Sequence, residues 1–506
     1  MSNRYIEKIL KARVYDVANE TPLDLANDLT QRFNNQIYLK REDLQPVFSF
    51  KLRGAYNKIV QLSDEKKQCG VIAASAGNHA QGVALSAKKL GIKSLIVMPK
   101  TTPAIKVKNV KSFGAKIVLH GDNYDEACEH ALKLAKEKAM SFVHPYDDPD
   151  VIAGQGTIAM EILRQFHNDI HAIFVPVGGG GLISGIASYV KYVRPEIKII
   201  GVEPEDAPSM YKAIESNKRV TLKQVGIFAD GVAVKQVGKE TFKIAKELVD
   251  EILLVNTDEI CAAIKDIFDN TRSITEPAGA LSVAGLKKYI QREKIENKVL
   301  VAIESGANIN FDRLRHVAER AEVGEQREAL LAVSIPEEPG SFLKFCKTLG
   351  KRSITEFNYR FNSKQEAHVF VGVELNSGEA ERASIIQHLE EQDYGVINMT
   401  DNELAKIHIR YMVGGHAVSV ENEVLYRFVF PERPGALLNF LSKLGKRWNI
   451  SLFHYRNQGA AYGRVLVGAQ VPLDEKNEFC QFMKSLDYPF WDETKNPAYK
   501  IFAGSD

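Results

Sequence analysis

Cysteine is scarce in this chain and shows no spacing that sulfur chemistry requires. The five cysteines among the 506 residues are Cys69, Cys128, Cys261, Cys346 and Cys480. Their odd number and wide separation argue against a disulfide framework, and no CxxC pair suggests a zinc or redox site. The first 21 residues also lack the apolar core of a signal peptide and, unlike a typical transit peptide, contain acids. We therefore expect a cytoplasmic protein.

An excess of charge of either sign is also absent. Lysine and arginine number 66 and aspartate and glutamate 64, which leaves a formal net charge of +2. This balance provides no overall basic field for binding nucleic acid or an anionic membrane, so small molecules are the expected partners. With 45% hydrophobic and 26% charged residues, the composition is typical of a globular protein with several cores.

Long hydrophobic runs are missing, and the nearest approach to one is the uncharged segment 172–190. This segment is nearly long enough to cross a bilayer. However, Pro176 and four consecutive glycines interrupt it. The pattern therefore predicts a buried strand, a turn and a buried helix rather than a membrane span.

Strand and helix patterns alternate along the first part of the chain. The apolar run at 71–75 is followed by a glycine-containing loop and a predicted helix at 80–90. After the next apolar run, a further helix is predicted with Thr102 as its N-cap and Pro103 at its first position. This α/β order predicts parallel sheets covered on both faces, with ligands bound at the carboxyl ends of the strands.

The pattern changes at the charged segment 321–327, AEVGEQR, which marks a predicted domain boundary. Beyond it the sequence is duplicated. The segment that begins at Pro336, PEEPGSFLKFCKTLGKRSITEFNYR, matches the one that begins at Pro431, PERPGALLNFLSKLGKRWNISLFHYR. Each copy predicts a strand, a Pro-Gly turn, a helix and two strands, and a further helix and strand would complete a ferredoxin-like βαββαβ unit. We predict three domains, at 1–323, 327–400 and 422–497.

Lys51 is the first candidate functional residue. Most lysines are solvated, but Phe50 and Leu52 flank this one, and Gly54 and Ala55 follow at the start of a predicted helix. A lysine among apolar neighbours loses hydration, and its amine is easier to deprotonate. A neutral amine can attack an aldehyde, as Schiff-base enzymes require.

A run of glycines between the predicted strand IFVPV and the predicted helix ISGIASYV is the second candidate. Backbone N–H groups at a helix N-terminus can bind an anion such as phosphate. No Walker lysine follows, and the dinucleotide spacing GxGxxG has no matching downstream acid. A tight turn without a ligand is the alternative. The residues of this loop are Gly178, Gly179, Gly180, Gly181 and Leu182.

Two further loops follow predicted strands. SAGNHAQG, from Ser75 to Gly82, offers backbone donors and polar side chains that suit a carboxylate or a ring hydroxyl, and a capped turn is its alternative. His79 in this loop has no identifiable partner, so an orienting or packed histidine is favoured over a general base. ESGAN, at 304–308, is the third loop of the same kind.

Together SFKLRGA, SAGNHAQG, PVGGGGL and ESGAN, in this order, resemble the fold-type-II pyridoxal-phosphate enzymes, which include threonine and serine dehydratases. With the duplicated tail, the resemblance covers essentially the whole chain and extends to the biosynthetic threonine deaminases, also called threonine ammonia-lyases. It implies a two-lobed catalytic domain with parallel-type sheets, followed by two ferredoxin-like, ACT-like regulatory subdomains.

The resemblance implies pyridoxal 5'-phosphate as the cofactor and assigns roles to the residues. Lys51, next to Phe50, would form the Schiff base and, once freed, would remove the α-proton of the substrate. Asn78 would hydrogen-bond the ring hydroxyl, the amides of the glycine loop would hold the phosphate, and Ser305 would face the pyridine nitrogen. The substrate carboxylate would be held by the SAGNH loop, through Ser75, Gly77, Asn78 and His79.

The implied reaction converts L-threonine to 2-oxobutanoate and ammonia by loss of the α-proton and then of the β-hydroxyl, as the first committed step of isoleucine synthesis. A catabolic serine/threonine dehydratase, a threonine synthase and a racemase are the nearest alternatives, and the duplicated tail argues against all three. A catalytically silent amino-acid-binding protein is a further alternative. Retention of Lys51 with all three loops argues against it.

A metal site is not expected. Some relatives bind a cation through a loop that contains Glu-Pro and supplies an Asp, whereas here Glu203 begins EPEDAPS and Ser209 stands near the expected acid. We predict no essential metal. Glu203 and Glu205 are interpreted as part of a solvated loop.

The duplicated tail resembles paired amino-acid sensors, so we expect isoleucine to inhibit, valine to oppose it, and the chain to form a homotetramer. A repeat with a structural role alone is the alternative. Tyr359 and Tyr455, in NYR and HYR, occupy equivalent positions. Each could line an effector pocket or couple the unit to the catalytic domain, or it could simply pack with its hydroxyl at the surface.

Overall fold

The computed structural model describes the chain except for residues 1, 227, 312, 362–365, 408, 413–416, 418–419, 432–435, 445–446, 457–461, 487, 497–498 and 500–506. The chain divides into two units, Met1–Ala321 and Glu322–Asp506. Each unit is built on its own sheets and its own cores.

The first unit contains fourteen of the described α-helices and ten of the described strands. The helices are α1 (Ser2–Leu10), α2 (Asn27–Phe33), α3 (Lys51–Val60), α4 (Asp64–Cys69), α5 (Asn78–Lys89), α6 (Ala104–Ser112), α7 (Tyr124–Glu137), α8 (Pro149–Gln165), α9 (Gly181–Val193), α10 (Ser209–Glu215), α11 (Lys239–Leu248), α12 (Thr257–Thr271), α13 (Pro277–Glu293) and α14 (Arg313–Gly324), which crosses its end. The strands are β1 (Leu23–Leu25), β2 (Gln36–Arg41), β3 (Val71–Ala74), β4 (Ser94–Met98), β5 (Lys116–Leu119), β6 (Ser141–Phe142), β7 (Ala172–Pro176), β8 (Lys198–Pro204), β9 (Glu251–Val255) and β10 (Val299–Glu304).

These strands form two sheets, one for each lobe of the unit. The larger sheet has the order β1-β2-β10-β7-β8-β9 and is parallel except for the β1–β2 pair. The smaller sheet has the order β5-β4-β3-β6 and is parallel throughout. The prediction of a two-lobed α/β domain with parallel-type sheets is confirmed. The loops after β3, β7 and β10 therefore leave the carboxyl ends of parallel strands, where ligands bind in such folds.

The apolar run of β7 shows why the larger sheet is covered on both faces. Successive side chains of a strand point to opposite faces, and here Ala172 and Phe174 belong to one core while Ile173 and Val175 belong to another. All four are fully buried. The segment 172–190 is thus a strand, a glycine loop and the helix α9, as predicted, and no described helix is long and apolar enough to cross a membrane.

One local prediction was wrong. Helix α6 begins at Ala104, and Pro103 is its N-cap rather than its first residue. Pro103 has ψ 139°, which is extended rather than helical backbone, so the helix starts one residue later than predicted. The buried hydroxyl of Thr102 has no hydrogen-bond partner in the described structure, and it therefore does not cap α6.

The second unit contains the duplicated tail. Its described elements are β11 (Glu328–Pro336), α15 (Ser341–Leu349), β12 (Ile354–Arg360), β13 (Glu366–Glu374), α16 (Gly378–Glu390), β14 (Gly395–Asn398), α17 (Glu403–Ile407), β15 (Glu423–Pro431), α18 (Ala436–Leu444), β16 (Asn449–Arg456), β17 (Tyr462–Gln470), α19 (Lys476–Ser485) and β18 (Phe490–Asp492).

Both repeats have the predicted βαββαβ order, β11 to β14 and β15 to β18. They share one eight-stranded sheet, ordered β14-β11-β13-β12-β16-β17-β15-β18, in which β12 and β16 pair antiparallel and join the repeats. In this pair Phe357 lies opposite Tyr455 and Tyr359 lies opposite Phe453. One hydrophobic core contains residues of both repeats, so neither repeat packs independently of the other.

A network of four buried charges holds the start of the first unit together. Arg53 on α3 forms ion pairs with Glu42, at 2.8 Å, and with Glu161 on α8, and Lys40 on β2 pairs with Glu161 at 2.7 Å. The side chains of all four are fully buried. Burial alone would raise the pKa of Glu161, but Arg53 and Lys40 hold it below its usual value. Each charge therefore depends on its partners for stability.

We predict that Arg53→Met destabilises the protein by about 3–5 kcal/mol, because two buried carboxylates would keep only Lys40 as a cationic partner. Methionine retains the apolar volume, so the loss reports the charge rather than a cavity. Chemical denaturation measures the effect. Lys11→Ala, which removes an exposed i,i+4 pair with Glu7, is the control and should leave the midpoint nearly unchanged. Equal midpoints for the two variants would contradict the prediction.

Candidate active site

Lys51 is the first residue of α3, and its side chain is partly buried. Its amine donates a hydrogen bond to the carbonyl of Pro145 at 3.2 Å and lies 5.3 Å from the centre of the Phe50 ring. Burial of the amine lowers its pKa to about 8, although the negative charge of Glu276 acts in the opposite direction. About a tenth of the amine is therefore neutral and nucleophilic at pH 7, far more than for a solvated lysine with a pKa of 10.5.

The glycine loop joins the end of β7 to the start of α9. Gly180 has φ +92°, a left-handed conformation that favours glycine. A Cβ atom on Gly179 would lie 2.2 Å from the Tyr146 ring, and the Gly179 carbonyl accepts hydrogen bonds from the Thr241 hydroxyl at 2.7 Å and from the Gly238 amide at 3.3 Å. These contacts hold the loop in one conformation, in which protein donors already satisfy the Gly179 carbonyl.

The amides of this loop are well suited to an anion. Within the described structure, none of the N–H groups of residues 178–182 donates a hydrogen bond to another part of the protein. They lie at the N-terminus of the thirteen-residue helix α9, where the helix dipole favours negative charge. Backbone N–H groups without partners at the N-terminus of a helix are suited to binding a phosphate group.

The SAGNHAQG segment follows β3 and continues into α5, which begins at Asn78, two residues earlier than predicted. The hydroxyl of Ser75 accepts a hydrogen bond from the Gly77 amide at 3.2 Å. A Cβ atom built on Gly77 would meet nothing within 4 Å. Open space therefore borders the start of α5, where a small molecule can approach the backbone.

The side chain of Asn78 has partners on both of its polar atoms. Its Nδ2 donates to Glu276 Oε1 at 2.6 Å, and its Oδ1 accepts from Asn308 Nδ2 at 2.7 Å. Asn308 belongs to the ESGAN loop, so this contact joins the loops that follow β3 and β10. The two partners fix which atom of the amide points in which direction.

His79 is buried, and its Nε2 lies 2.8 Å from the carbonyl oxygen of Val143. Burial, helped by the charge of Lys51, lowers its pKa to about 3. A neutral ring next to a carbonyl acceptor carries its proton on Nε2 and is a poor general base at neutral pH. The contact agrees with the interpretation of His79 as an orienting residue.

Ser305 is buried directly after β10, and its hydroxyl has only a weak contact, 3.4 Å, with the carbonyl of Ala278. The Ser305 carbonyl accepts from the amide of Phe50 at 3.3 Å. The ESGAN loop is thereby held against the segment that carries Lys51. The structure brings the segment of Lys51, Asn78 and the ESGAN loop together in one site.

Two residues of this site were not found from the sequence. Glu276 is buried just before α13 and accepts from Asn78. Burial and the charge of Asp230 raise its pKa to about 7. His144 accepts at Nδ1 from the amides of Tyr146 and Asp147, at 3.2 and 2.8 Å. The segments TEPAGA and HPYDD, which contain these residues, resemble ordinary helix starts and turns, so the only available signal was an acid or histidine at a loop boundary.

Glu203 was interpreted incorrectly as part of a solvated loop. It is fully buried, and its carboxylate accepts hydrogen bonds from the amides of Met210 and Tyr211, both at 2.8 Å, and from the Ser209 hydroxyl at 3.3 Å. Burial raises its pKa to about 7, although these hydrogen bonds act to lower it. Glu203 holds the start of α10, while Glu205 is exposed as expected. Among the described residues, no group of three or more His, Cys, Asp or Glu is placed to hold a metal.

The two tyrosines of the second unit are both buried. The Tyr359 hydroxyl donates to Glu337, which follows β11, and Glu337 also accepts from Asn449 Nδ2 of the second repeat at 3.0 Å. The alternative of a tyrosine with its hydroxyl at the surface is therefore wrong for Tyr359. Glu337 connects the Pro-Gly segment of one repeat to the first residue of β16 in the other.

The fold and the site define the class of the protein. Unpaired amides at the start of α9 and a lysine with a lowered pKa suit a cofactor that has both a phosphate and an aldehyde. Residues 14–306 match the family described as pyridoxal-phosphate dependent enzyme. The chain is a pyridoxal-phosphate-dependent enzyme of fold type II. Residues 319–409 and 414–503 match the C-terminal regulatory domain of threonine dehydratase.

Full-length relatives identify the family within this class. The chain is 57% identical over 504 residues to L-threonine dehydratase biosynthetic IlvA of Burkholderia multivorans, covering 99% of each chain. It is 52% identical over 500 residues to that of Escherichia coli, covering 98% of this chain and 96% of the other. The processed form of threonine deaminase isoform 2 from Solanum lycopersicum superposes with a TM-score of 0.62 at 52% identity, over 63% of this chain and 93% of that one. The chain belongs to the biosynthetic threonine dehydratase family.

We predict that Gly180→Ala weakens cofactor binding far more than Gly114→Ala. Both glycines are left-handed, with φ +92° and +87°, so each alanine carries about 1–2 kcal/mol of backbone strain. Only at Gly180 would the added methyl group also lie 2.6 Å from Met210 Cε and 2.9 Å from Thr241 Cβ, whereas at Gly114 it meets nothing within 4 Å. Titration of the cofactor-free protein with pyridoxal phosphate measures the difference. Equal affinities in both variants would contradict the prediction.

Proposed function

We propose that this protein is a threonine ammonia-lyase, which converts L-threonine to 2-oxobutanoate and ammonia in the first committed step of isoleucine synthesis. The observation that carries the proposal is that the ESGAN loop contacts both Asn78 of the SAGNH loop and the Phe50 amide next to Lys51, in a chain similar to biosynthetic threonine dehydratases over its full length. Pyridoxal phosphate, when bound, withdraws electrons from the α-carbon of an attached amino acid.

Lys51 has two tasks in this reaction. Its lowered pKa supplies the neutral amine that attaches to an aldehyde. The same amine would take the α-proton of the substrate, because a buried amine with a lowered pKa is held in the site by α3 and can act as a base there. The β-hydroxyl then leaves, and the released enamine tautomerises and hydrolyses to the ketoacid and ammonia.

The start of α5 is the proposed site for the substrate carboxylate. The first amides of a helix lack intrahelical partners, so those of Asn78 and His79 are available at the edge of the open space beside Gly77. The Ser75 hydroxyl can donate to the same anion. The His79 ring, held against the Val143 carbonyl, keeps this end of the helix in place and needs no charge of its own.

Ser305 is the proposed partner of the cofactor ring nitrogen. Its hydroxyl is buried and, among the described residues, makes a single long contact of 3.4 Å, so a better acceptor can replace that contact. A hydroxyl is a weaker partner than a carboxylate and leaves the ring less electron-withdrawing. Such a site favours rapid elimination over a long-lived carbanion.

Other reactions of the same class use a similar site. A catabolic serine/threonine dehydratase, a threonine synthase or a racemase could share Lys51 and its loops, and a catalytically silent amino-acid-binding protein could retain the fold. The two regulatory domains support the biosynthetic assignment. Cofactor absorbance together with ketoacid formation from threonine distinguishes the dehydratase from the synthase, the racemase and the silent protein.

We also propose that the second unit senses isoleucine as an inhibitor, with valine opposing it, and that the protein works as a cytoplasmic homotetramer. The contact of Tyr359 with Glu337 and of Glu337 with Asn449 supports a sensing role, because it lies where the two repeats meet. Tyr455 occupies the equivalent position in the second repeat, buried in the shared core. The thiols of Cys69, Cys128, Cys346 and Cys480 suit a reducing compartment.

We predict that the rate at which the cofactor-free protein takes up pyridoxal phosphate rises about tenfold per pH unit below pH 8 and levels off above it. The folded pKa of Lys51 is lowered from 10.5 to about 8, so the neutral amine predominates above pH 8. Stopped-flow absorbance measures the rate. Lys51→Ala should lose covalent uptake and all turnover, while Lys66→Ala, an exposed site on α4, should match the wild type. A rate that still climbs steeply from pH 9 to 10 would contradict the lowered pKa.

Isoleucine is expected to shift the threonine dependence of the rate by about 5-fold or more, and Tyr359→Phe to reduce that shift while leaving the uninhibited rate unchanged. The variant removes only the hydroxyl that donates to Glu337. Tyr394→Phe is the matched control, because the buried hydroxyl of Tyr394 has no hydrogen-bond partner in the described structure. Steady-state assays with and without isoleucine and valine provide the measurement. If isoleucine leaves the wild type unchanged, the sensing role is wrong.

A further inference from the structure

Glu276 is a buried carboxyl group in the site that no catalytic step described above uses. It lies within the electrostatic reach of Lys51, and its own surroundings include Asp230 of a 3₁₀ helix and Lys106 of α6. Its side chain makes no capping hydrogen bond to α13, although it stands at the N-cap position of that helix. A buried acid costs folding free energy unless it is hydrogen-bonded. Among the described residues the Glu276 carboxyl group has one hydrogen bond, to Asn78, and the purpose of this contact requires an explanation.

The contact with Asn78 has a definite geometry. Asn78 Nδ2 carries two hydrogens, one of which is donated to Glu276 Oε1 at 2.6 Å. Its Oδ1 accepts from Asn308 Nδ2 at 2.7 Å. A 180° flip of the amide would place Oδ1 against the Glu276 carboxylate and Nδ2 against the Asn308 donor, and both contacts would become repulsive. Only one orientation is compatible with both neighbours.

This orientation leaves one hydrogen of Asn78 Nδ2 without a partner among the described residues. Asn78 starts α5 at the edge of the open space beside Gly77. An oxygen acceptor on a ligand in that space can receive the remaining hydrogen. Without Glu276 and Asn308, the amide could equally present its oxygen, which would repel an anionic ring oxygen.

The surrounding backbone makes room for the carboxylate. A Cβ atom on Gly306 would lie 2.8 Å from Glu276 Oε1, so the glycine of ESGAN allows the carboxylate to reach Asn78. The Glu276 amide donates to the Gly306 carbonyl at 3.0 Å, and the Thr275 hydroxyl donates to the same carbonyl at 2.7 Å. The backbone on both sides of the contact is thus held in place.

We propose that Glu276, together with Asn308, is a positioning residue that locks the amide of Asn78 so that an N–H is presented to the ring oxygen of the cofactor. This inference rests on the proposed pyridoxal-phosphate function and extends it to a residue that does not touch the cofactor.

The test is a titration of the cofactor-free protein with pyridoxal phosphate in the absence of substrate, with affinity and the absorbance maximum of the bound cofactor as readouts. Glu276→Ala should weaken binding about tenfold and shift the absorbance maximum. Glu276→Gln, which retains an acceptor oxygen, should restore most of the affinity. Gly306→Ala, which pushes the carboxylate away from Asn78, should behave like a milder Glu276→Ala.

The decisive comparison is made in an Asn78→Ala background. If Glu276 acts through Asn78, Glu276→Ala should change the affinity there by less than about twofold. An equal loss in both backgrounds, or no change of affinity and spectrum in the wild type, overturns the proposal. Thermal unfolding of each cofactor-free variant distinguishes a folding defect from a specific loss of cofactor affinity. A folding defect would lower the melting temperature in both backgrounds.

The result is independent of the substrate. If the wild type takes up the cofactor but does not deaminate threonine, the reaction assigned above is wrong, and the same titration still decides the role of Glu276. If the wild type takes up no pyridoxal phosphate, both the positioning role and the cofactor chemistry are overturned.

Discussion

The buried charges around Arg53 are the constraint on which the site depends. Arg53 follows Lys51 by two residues on α3, and its guanidinium is held by Glu42 and Glu161 with no exposure to water. An unpaired charge in that position would cost several kcal/mol, so α3 has one favourable placement against β2 and α8. Because α3 is fixed in this way, Lys51 can lose part of its hydration and still keep a defined position. The lowered pKa of its amine follows from the burial that this placement of α3 provides.

The same dry environment acts on the acid and the histidine of the site. Burial moves the pKa of Glu276 up to about 7 and that of His79 down to about 3, while it moves that of Lys51 down to about 8. In each case burial disfavours the charged form. At pH 7 Lys51 is therefore less completely protonated, and Glu276 less completely ionised, than either group would be in water, so moving a proton to or from Lys51 costs less free energy. A solvated site with the same residues would hold a permanent cation and a permanent anion instead.

Features that depend on residues close together in the chain could be predicted from the sequence. The roles of residues whose contacts come from distant segments could not. Alternating apolar runs and glycine loops predicted the sheets, the glycine cradle and the βαββαβ repeats, because these follow from local backbone preferences. Glu276 was missed because its place in the site depends on its hydrogen bond with Asn78, which is 198 residues away in the chain. Glu203 was taken for a solvated acid, since only the folded chain shows that it holds the start of α10.

The two repeats of the second unit are similar in sequence, but equivalent residues in them make different ion pairs. Glu328 and Glu423 begin equivalent strands, and each accepts a hydrogen bond from an equivalent hydroxyl, that of Thr355 or Ser451. Their positive partners differ. Glu328 pairs with Arg410, which follows the first repeat, whereas Glu423 pairs with Arg360 of β12 in the first repeat. The buried acid of the second repeat is thus paired with an arginine of the first, so the loss of Arg360 from β12 is expected to destabilise both repeats. This dependence makes the pair one cooperative body, which a sensor composed of two repeats requires if a ligand at one repeat is to influence the other.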